Sequence, residues 1–245
     1  MIVSFDCIAL RMVRYNDRTS ILTVYSRQRG RLSLAIAATA SRAAARTRAL
    51  VQPMGVFECR ADIRPDREIV TPREIRAKVL PASGNPLGAV QAMFAADMLS
   101  ALLREPHADD ALFSYLEYAA MTLSAAASVP GGTPLLANFH LALLLGLTRA
   151  TGIEPDWSTW RTGSVFDMND GVFKLFGPAH ASFLPPDEAA AAYSLRRMSL
   201  ANAGRWRFSR NDRNCILDRL TTYFQIHYPS VKTVSAEILR QTFSF

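Results

Sequence analysis

The hydrophobic pattern of this chain changes period once, and that change limits the folds open to it. Before Pro81 the apolar residues alternate. Leu32, Leu34 and Ile36 are spaced by Arg31, Ser33 and Ala35, and Ile75, Ala77 and Val79 by Glu74, Arg76 and Lys78. Period two is the mark of a strand with one buried face. After Gly88 the apolar residues recur every three or four positions, which is the helical period. The junction, PASGNPLG (residues 81–88), gathers turn formers and ends on a helix start, with Asn85 as cap and Pro86 as first helical residue. Strands followed by helices predict an α+β chain with two domains, 1–80 and 81–245.

The first part holds five candidate strands, at residues 2–15, 20–26, 30–37, 51–60 and 68–80. Five short strands with turns between them suit an OB-fold barrel, and an SH3-like barrel fits the same pattern. Between the third and fourth lies ATASRAAARTRAL, which reads as a helical turn or a loop. The second part predicts helices at 86–104, 109–127, 133–150, 186–194, 209–227 and 235–243. Residues 153–186 interrupt them with two strand-like pieces joined at Asn169-Asp170-Gly171, a hairpin signal.

Charge is unevenly placed. Of a net +7 over 245 residues, residues 1–80 carry 15 Lys and Arg against 7 Asp and Glu, while residues 81–245 carry 13 against 14. Arg27, Arg29, Arg31, Arg42, Arg46 and Arg48 fall in a stretch with no acid between Arg18 and Glu58. Guanidinium groups fork onto phosphate and stack on bases, so this run is the first candidate for nucleic-acid contact. Tyr15 and Tyr25 are candidates for stacking. A second group, Arg205, Arg207 and Arg210, with Arg196, Arg197 and Arg213 near it, surrounds Trp206 and Phe208; it reads equally as a DNA surface or as a solvated helix face, with the tryptophan as a core anchor. A merely soluble basic face remains the alternative to the first group.

Other chemistries find little support. Cys7, Cys59 and Cys215 are far apart and odd in number, which excludes an internal disulfide framework or four-cysteine zinc site and fits buried thiols in a reducing compartment. No nucleophile elbow, zinc-protease helix or phosphate loop is present. His107, His140, His180 and His227 are scattered, and His140 and His227 sit in apolar helical sequence that suits hydrogen-bonded core positions. Asp167 and Asp170 read as turn-forming carboxylates. No secretory leader is visible, and the apolar stretch around Leu141 to Leu147 is too short to span a bilayer. These features predict a cytoplasmic, non-enzymatic protein with no metal and no cofactor.

Several separated segments resemble one family in the same order. IALRMVRYNDRTSILTVYSRQRGRLSLA, with Asp17, Thr19-Ser20 and Gly30-Arg31, resembles the opening of RecO proteins. RALVQPMGVFE resembles their Leu-x-Gln-Pro pattern at Leu50, Gln52 and Pro53. LANFHLALLLGLTRATGIEPD resembles their long core helix, FDMNDGVF the hairpin after it, and RNCILDRLTTYFQIHYPSVKTVSAEILRQTF their last two helices. The chain departs from the family in residues 153–186, where many members hold a four-cysteine zinc ribbon and this chain has no cysteine. Trp157 and Trp160 have the spacing of the missing first pair. An apolar cluster of these two with Phe166, Phe173 and Phe176 is expected to replace the metal as staple. A second departure is Ala37-Ala38, where many relatives have a lysine-glycine pair.

The resemblance implies a DNA-binding recombination mediator in DNA repair. Such proteins bind single- and double-stranded DNA, anneal complementary strands, contact the C-terminal tail of the single-strand DNA-binding protein, and join RecR to load the recombinase. Arg31, Arg42, Arg46 and Arg48 are expected to carry most DNA contacts. Phe139, Leu143 and Arg149 are candidates for the partner notch, with helix-core burial as the competing fate of the first two. The alternative function is a basic barrel that binds RNA or a protein partner.

Overall fold

A computed structural model describes residues 2–63, 68–130, 133–232, 237 and 239–240. Six strands form the first sheet: β1 (Ile2–Arg14), β2 (Thr19–Ser26), β3 (Gly30–Ala37), β4 (Val56–Asp62), β5 (Ile69–Val70) and β6 (Pro72–Val79). Their spatial order is β5-β3-β2-β1-β4-β6. The two outer members are separated in sequence by Thr71 alone. They act as one bent strand: its start pairs in parallel with β3 (Ser33 with Ile69) and its remainder antiparallel with β4. The sheet therefore closes on itself as a five-stranded OB-type barrel, and closure removes its edges.

The alternation read from sequence fills this barrel. Phe5, Cys7, Ala9, Leu22, Val24, Leu34, Ile36, Phe57, Cys59 and Ala61 form its buried interior. The Ala-rich segment between the third and fourth strands is a helix, α1 (Arg42–Leu50), whose N-terminus is capped by the Ser41 hydroxyl accepting from the Ala44 N–H. Gln52 donates to the Arg48 carbonyl at 2.9 Å, and the Gly55 N–H to the Gln52 carbonyl at 2.9 Å. Residues 51–55 are used in this turn, so β4 starts at Val56 rather than at the expected Val51.

The rest of the chain is helical: α2 (Pro86–Leu102), α3 (Asp110–Ser128), α4 (Thr133–Ala150), α5 (Pro186–Leu195) and α6 (Arg210–His227). Asn85 caps α2 as expected, accepting from Leu87 and Gly88. Helix α4 is central, packed against α2, α3, α6 and the turn at Ala203–Arg205. Ile8, Leu10, Tyr25, Met54 and Val56 on the outside of the barrel belong to the same apolar core as these helices. The expected last helix, 235–243, lies largely outside the described residues.

Between α4 and α5 a three-stranded sheet, ordered β8-β7-β9, comprises β7 (Val165–Asp167), β8 (Val172–Lys174) and β9 (Phe183–Leu184). Its β7–β8 hairpin turns at Gly171, with φ 68°, where the sequence placed it. Trp157, Trp160, Phe166 and Phe173 gather with Tyr193 and Tyr223, and the Trp160 and Tyr193 rings stack at 4.2 Å between centroids. Phe176 is the exception to the expected cluster: β8 stops at Lys174, and Phe176 is 86% exposed. A polar staple complements the aromatic one. The buried Asp167 meets the Lys174 ammonium at 2.7 Å and accepts from the N–H groups of Asn169 and Asp170. Burial pushes this carboxyl up, but those donors outweigh it and hold it below the usual carboxylate range.

Candidate nucleic-acid interface

The β2–β3 hairpin organises the site. Its turn, residues 27–29, is at one end of the barrel, and the eight-residue β3 carries the chain to the other end, roughly 23 Å away at about 3.3 Å per residue. The arginine run read from sequence is thereby split between two ends with different surroundings.

At the turn end the cations face protein. Arg27 donates to Asp110, to Glu117 at 2.8 Å and to the Ser114 hydroxyl at 3.0 Å, and its guanidinium lies 4.5 Å from the Phe113 ring centroid. Arg31 donates to the carbonyls of Ser100 and Leu103, both at 2.9 Å, at the C-terminus of α2. Burial and the neighbouring Arg104 push its pKa down. The Tyr25 hydroxyl accepts from the Asp109 N–H at 3.2 Å, which excludes Tyr25 as a base-stacking surface along with its own burial. Gly30 has φ +66°, and a Cβ there would come within 2.5 Å of the His107 backbone. This end is a latch between barrel and helices. Arg27, expected from sequence to contact DNA, is engaged with carboxylates and a hydroxyl of α3, and Arg31, expected likewise, spends one terminal nitrogen on the carbonyls of a helix end. Arg29 stays exposed at the tip.

At the opposite end the arginines face solvent. The β1–β2 turn and the β3–α1 connection lie side by side there, joined by the Thr19–Ala37 pair and by the Ala38 N–H donating to the Arg18 carbonyl at 2.8 Å. Arg18, Arg42 and Arg46 are exposed, the last two one turn apart on α1. Arg14 is exposed and paired with Asp17 at 2.7 Å. Tyr15 projects with 71% exposure. Arg48 differs from its neighbours: it donates to the Ala37 and Thr39 carbonyls, each at 2.9 Å, and pins α1 to the strand end.

Between the two ends, the outer face of β1, β2 and β3 carries, apart from Arg11 on β1, small or uncharged side chains in register. One row runs Arg11, Thr23, Ser33, Ile69, and the next Val13, Ile21, Ala35. Arg11 is exposed and Val13 is 50% exposed. A barrel face of this kind, flanked by guanidinium groups and ending in an exposed tyrosine, can hold phosphates at its edge and bases on its surface. Sequence reasoning passed over Arg11, Arg14 and Arg18. The available signal was hairpin arithmetic, since a turn centred on residue 28 sets 18 opposite 38.

The second basic group is surface. Arg205 and Arg207 are exposed beside the stacked rings of Trp206 and Phe208, whose centroids are 5.6 Å apart. The Trp206 indole N–H donates to Asn202, as a core anchor does. Arg210 donates to the Arg240 carbonyl. The partner notch expected on α4 is not formed by the residues chosen for it. Phe139 and Leu143 are fully buried because α4 is enclosed on several sides, and the exposed Arg149 forms a two-bond pair with Glu154 at 2.9 and 2.7 Å. His140 is buried against Gln91 at 3.0 Å, and burial with the Arg213 charge pushes its pKa down to about 3. The His227 ring nitrogen sits 3.0 Å from the Met168 carbonyl. Among the described residues, no group of three or more His, Cys, Asp or Glu is placed to hold a metal, and no helix is long and apolar enough to cross a membrane.

Residues 1–78 match the family model described as "Recombination protein O N terminal". The chain is similar to "DNA repair protein RecO" of Phocaeicola vulgatus, at 31% identity over 97% of both chains. It is similar to the protein of the same name from Porphyromonas gingivalis, at 32% over 94% of both, and to that of Bacteroides fragilis, at 28% over 96% of this chain and 97% of the other. An OB-type barrel latched to a helical body, with near full-length similarity at this level, makes the chain a member of the RecO family of DNA repair proteins.

Proposed function

We propose that this chain is a non-enzymatic recombination mediator that holds DNA at the free end and outer face of its barrel. The observation that carries the proposal is the grouping of Arg11, Arg18, Arg42 and Arg46 around Tyr15 and an uncharged three-stranded face. Phosphates bind the guanidinium rim, bases meet the tyrosine and the aliphatic floor, and no bond is broken. Arg205 and Arg207 supply a second cationic surface on the helical body. Two such surfaces on one molecule bring two polyanionic strands together, and base pairing then provides the free energy of annealing. The chain divides for this purpose into a binding unit, 1–80, and a partner-facing unit, 81–245, with 153–186 as a metal-free subdomain.

Its proposed partners are RecR and the C-terminal tail of the single-strand DNA-binding protein, and its work is to help load the recombinase in the cytoplasm. An acidic tail with an apolar end needs an apolar floor and a basic rim. Such a cleft, about 280 Å³, opens between Tyr115, Tyr118, Leu145 and Met198, with Arg196 and Arg197 at its edge beside the Arg149–Glu154 pair. It replaces the notch expected at Phe139 and Leu143.

Fluorescence anisotropy of labelled single-stranded DNA across a salt series, with strand annealing on the same samples, tests the function. The reading requires binding that weakens steeply with salt together with faster annealing. Absence of DNA binding at low salt, or a preference for structured RNA in competition, would move the barrel to the interaction-module class.

A further inference from the structure

Beneath the β7–β8 hairpin lies a half-open pocket that the proposed DNA binding does not use. Its volume is about 110 Å³. Its walls come from α4 (Leu145, Thr148), the hairpin (Phe166, Met168, Phe173), α5 (Ala191, Ala192) and α6 (Ile216, Leu220, Tyr223), together with Trp157. It shares Leu145, Trp157 and Leu195 with the neighbouring basic-rimmed cleft.

Two features define what such a space accepts. The first is size. A water molecule needs only roughly 10–15 Å³ of such volume, and a dry engineered cavity of about 150 Å³ takes up benzene. The second is chemistry. The hydroxyl and indole groups on the wall are engaged within the protein: the Thr148 hydroxyl donates to the Leu145 carbonyl at 2.8 Å, the Trp157 indole to Glu154 at 3.2 Å, and the Tyr223 hydroxyl to the Ile153 carbonyl at 2.8 Å. The exposed Cys215 thiol at the rim is only a weak hydrogen-bonding group. The two charges at its edge, Glu188 on α5 and Arg219 on α6, neutralise each other through hydrogen bonds of 2.7 and 3.0 Å. The walls therefore offer dispersion contacts, and a charged or strongly polar guest would lose its hydration without replacement.

We infer that this half-open pocket is a binding site for a compact, uncharged apolar ligand the size of one aromatic ring, flanked at its mouth by the Glu188–Arg219 pair. Small Ala191 and Ala192 on the α5 wall keep the space open where bulkier residues would fill it.

Toluene is the probe, with benzoate as its charged counterpart, on the full chain. Toluene at ten times its dissociation constant should raise the melting temperature by about 3 °C, saturably, and benzoate should leave it unchanged. In protein with 13C-labelled methionine methyls, toluene should move the Met168 signal and leave that of Met98, in the main core, in place. Ala192→Phe should fill the site and abolish the thermal response. The Met168 signal of the wild-type chain decides the matter even if that variant fails to fold. No thermal shift and an unmoved Met168 methyl with toluene would overturn the inference, as would an equal response to benzoate.

Discussion

The two ends of the β2–β3 hairpin carry the same residue type and do opposite things. At the turn, Arg27 and Arg31 lie against Asp110, Glu117 and the carbonyls that end α2. At the far end, Arg18, Arg42 and Arg46 are exposed to solvent, as is Tyr15 in the β1–β2 turn. Arginine suits both tasks because its planar fork satisfies carboxylates, carbonyls or phosphates alike. What separates the tasks is the neighbour that topology supplies. A helix C-terminus carries partial negative charge and unpaired carbonyls, so Arg31 finds there what a phosphate would otherwise provide.

Variants at the two ends should therefore separate stability from DNA binding. The largest effect is expected from Gly30→Val, which puts a β-branched residue at φ +66° and a Cβ 2.5 Å from the His107 backbone. It should lower the free energy of unfolding by roughly 3 kcal/mol, read by urea denaturation. Arg27→Ala comes next. It removes the pairs with the exposed Asp110 and the half-buried Glu117 and the contact with the Phe113 ring, and should destabilise by about 1 kcal/mol, with an unchanged salt dependence of DNA affinity in the folded fraction. If Arg27→Ala instead leaves stability intact and flattens the salt dependence, the latch assignment fails.

Tyr15→Ala should reverse that profile. Stability should stay within about 0.5 kcal/mol of wild type, and affinity for single-stranded DNA should fall by about tenfold through loss of one stacking surface. Duplex binding should change less, since stacked bases offer no free face. A variant that weakens both substrates equally would make Tyr15 a backbone contact.

A smaller effect separates the helical body from the barrel. His140 is held neutral, with its pKa pushed down to about 3 by burial and by Arg213, whereas in an unfolded chain it titrates near about 6.5. Unfolding takes up a proton below that value. Stability is thus level in this respect above pH 6.5 and falls as pH drops, by up to about 1.4 kcal/mol per pH unit. His140→Gln should lessen that slope between about pH 6.5 and 5, measured by urea midpoints, with the DNA salt dependence unaltered. An identical slope in the variant would place the acid sensitivity elsewhere.

Much of the fold was legible because its signals are local. Alternation marked the strands, Asn85-Pro86 marked the start of α2, and Asn169-Asp170-Gly171 marked the hairpin. The bent fifth strand was read as one piece from Glu68 to Leu80, and its pairing with both β3 and β4 is what closes the barrel. The site was legible in part. Arg42 and Arg46 stand at the free end, but local sequence does not distinguish them from Arg27 and Arg31, because the difference lies in residues about 80 positions away in sequence. Arg48 looked like its neighbours and is spent on two carbonyls of the preceding loop. Phe176 was assigned to the aromatic cluster on composition, yet β8 ends two residues before it. Phe139 and Leu143 carry a periodicity that fits a groove as well as a core, and only the number of helices around α4 decides between them.

The central claim is that one end of the barrel binds DNA while the other holds the molecule together. The direct test is the slope of log affinity for single-stranded DNA against log salt in two double variants, Arg42→Ala with Arg46→Ala and Arg27→Ala with Arg31→Ala. Each lost phosphate contact lowers the slope by about 0.7 on single strands. The account predicts a slope smaller by about 1.4 in the first variant at unchanged stability, and an unchanged slope with lower stability in the second. A reduced slope in the second variant and an intact one in the first would contradict it.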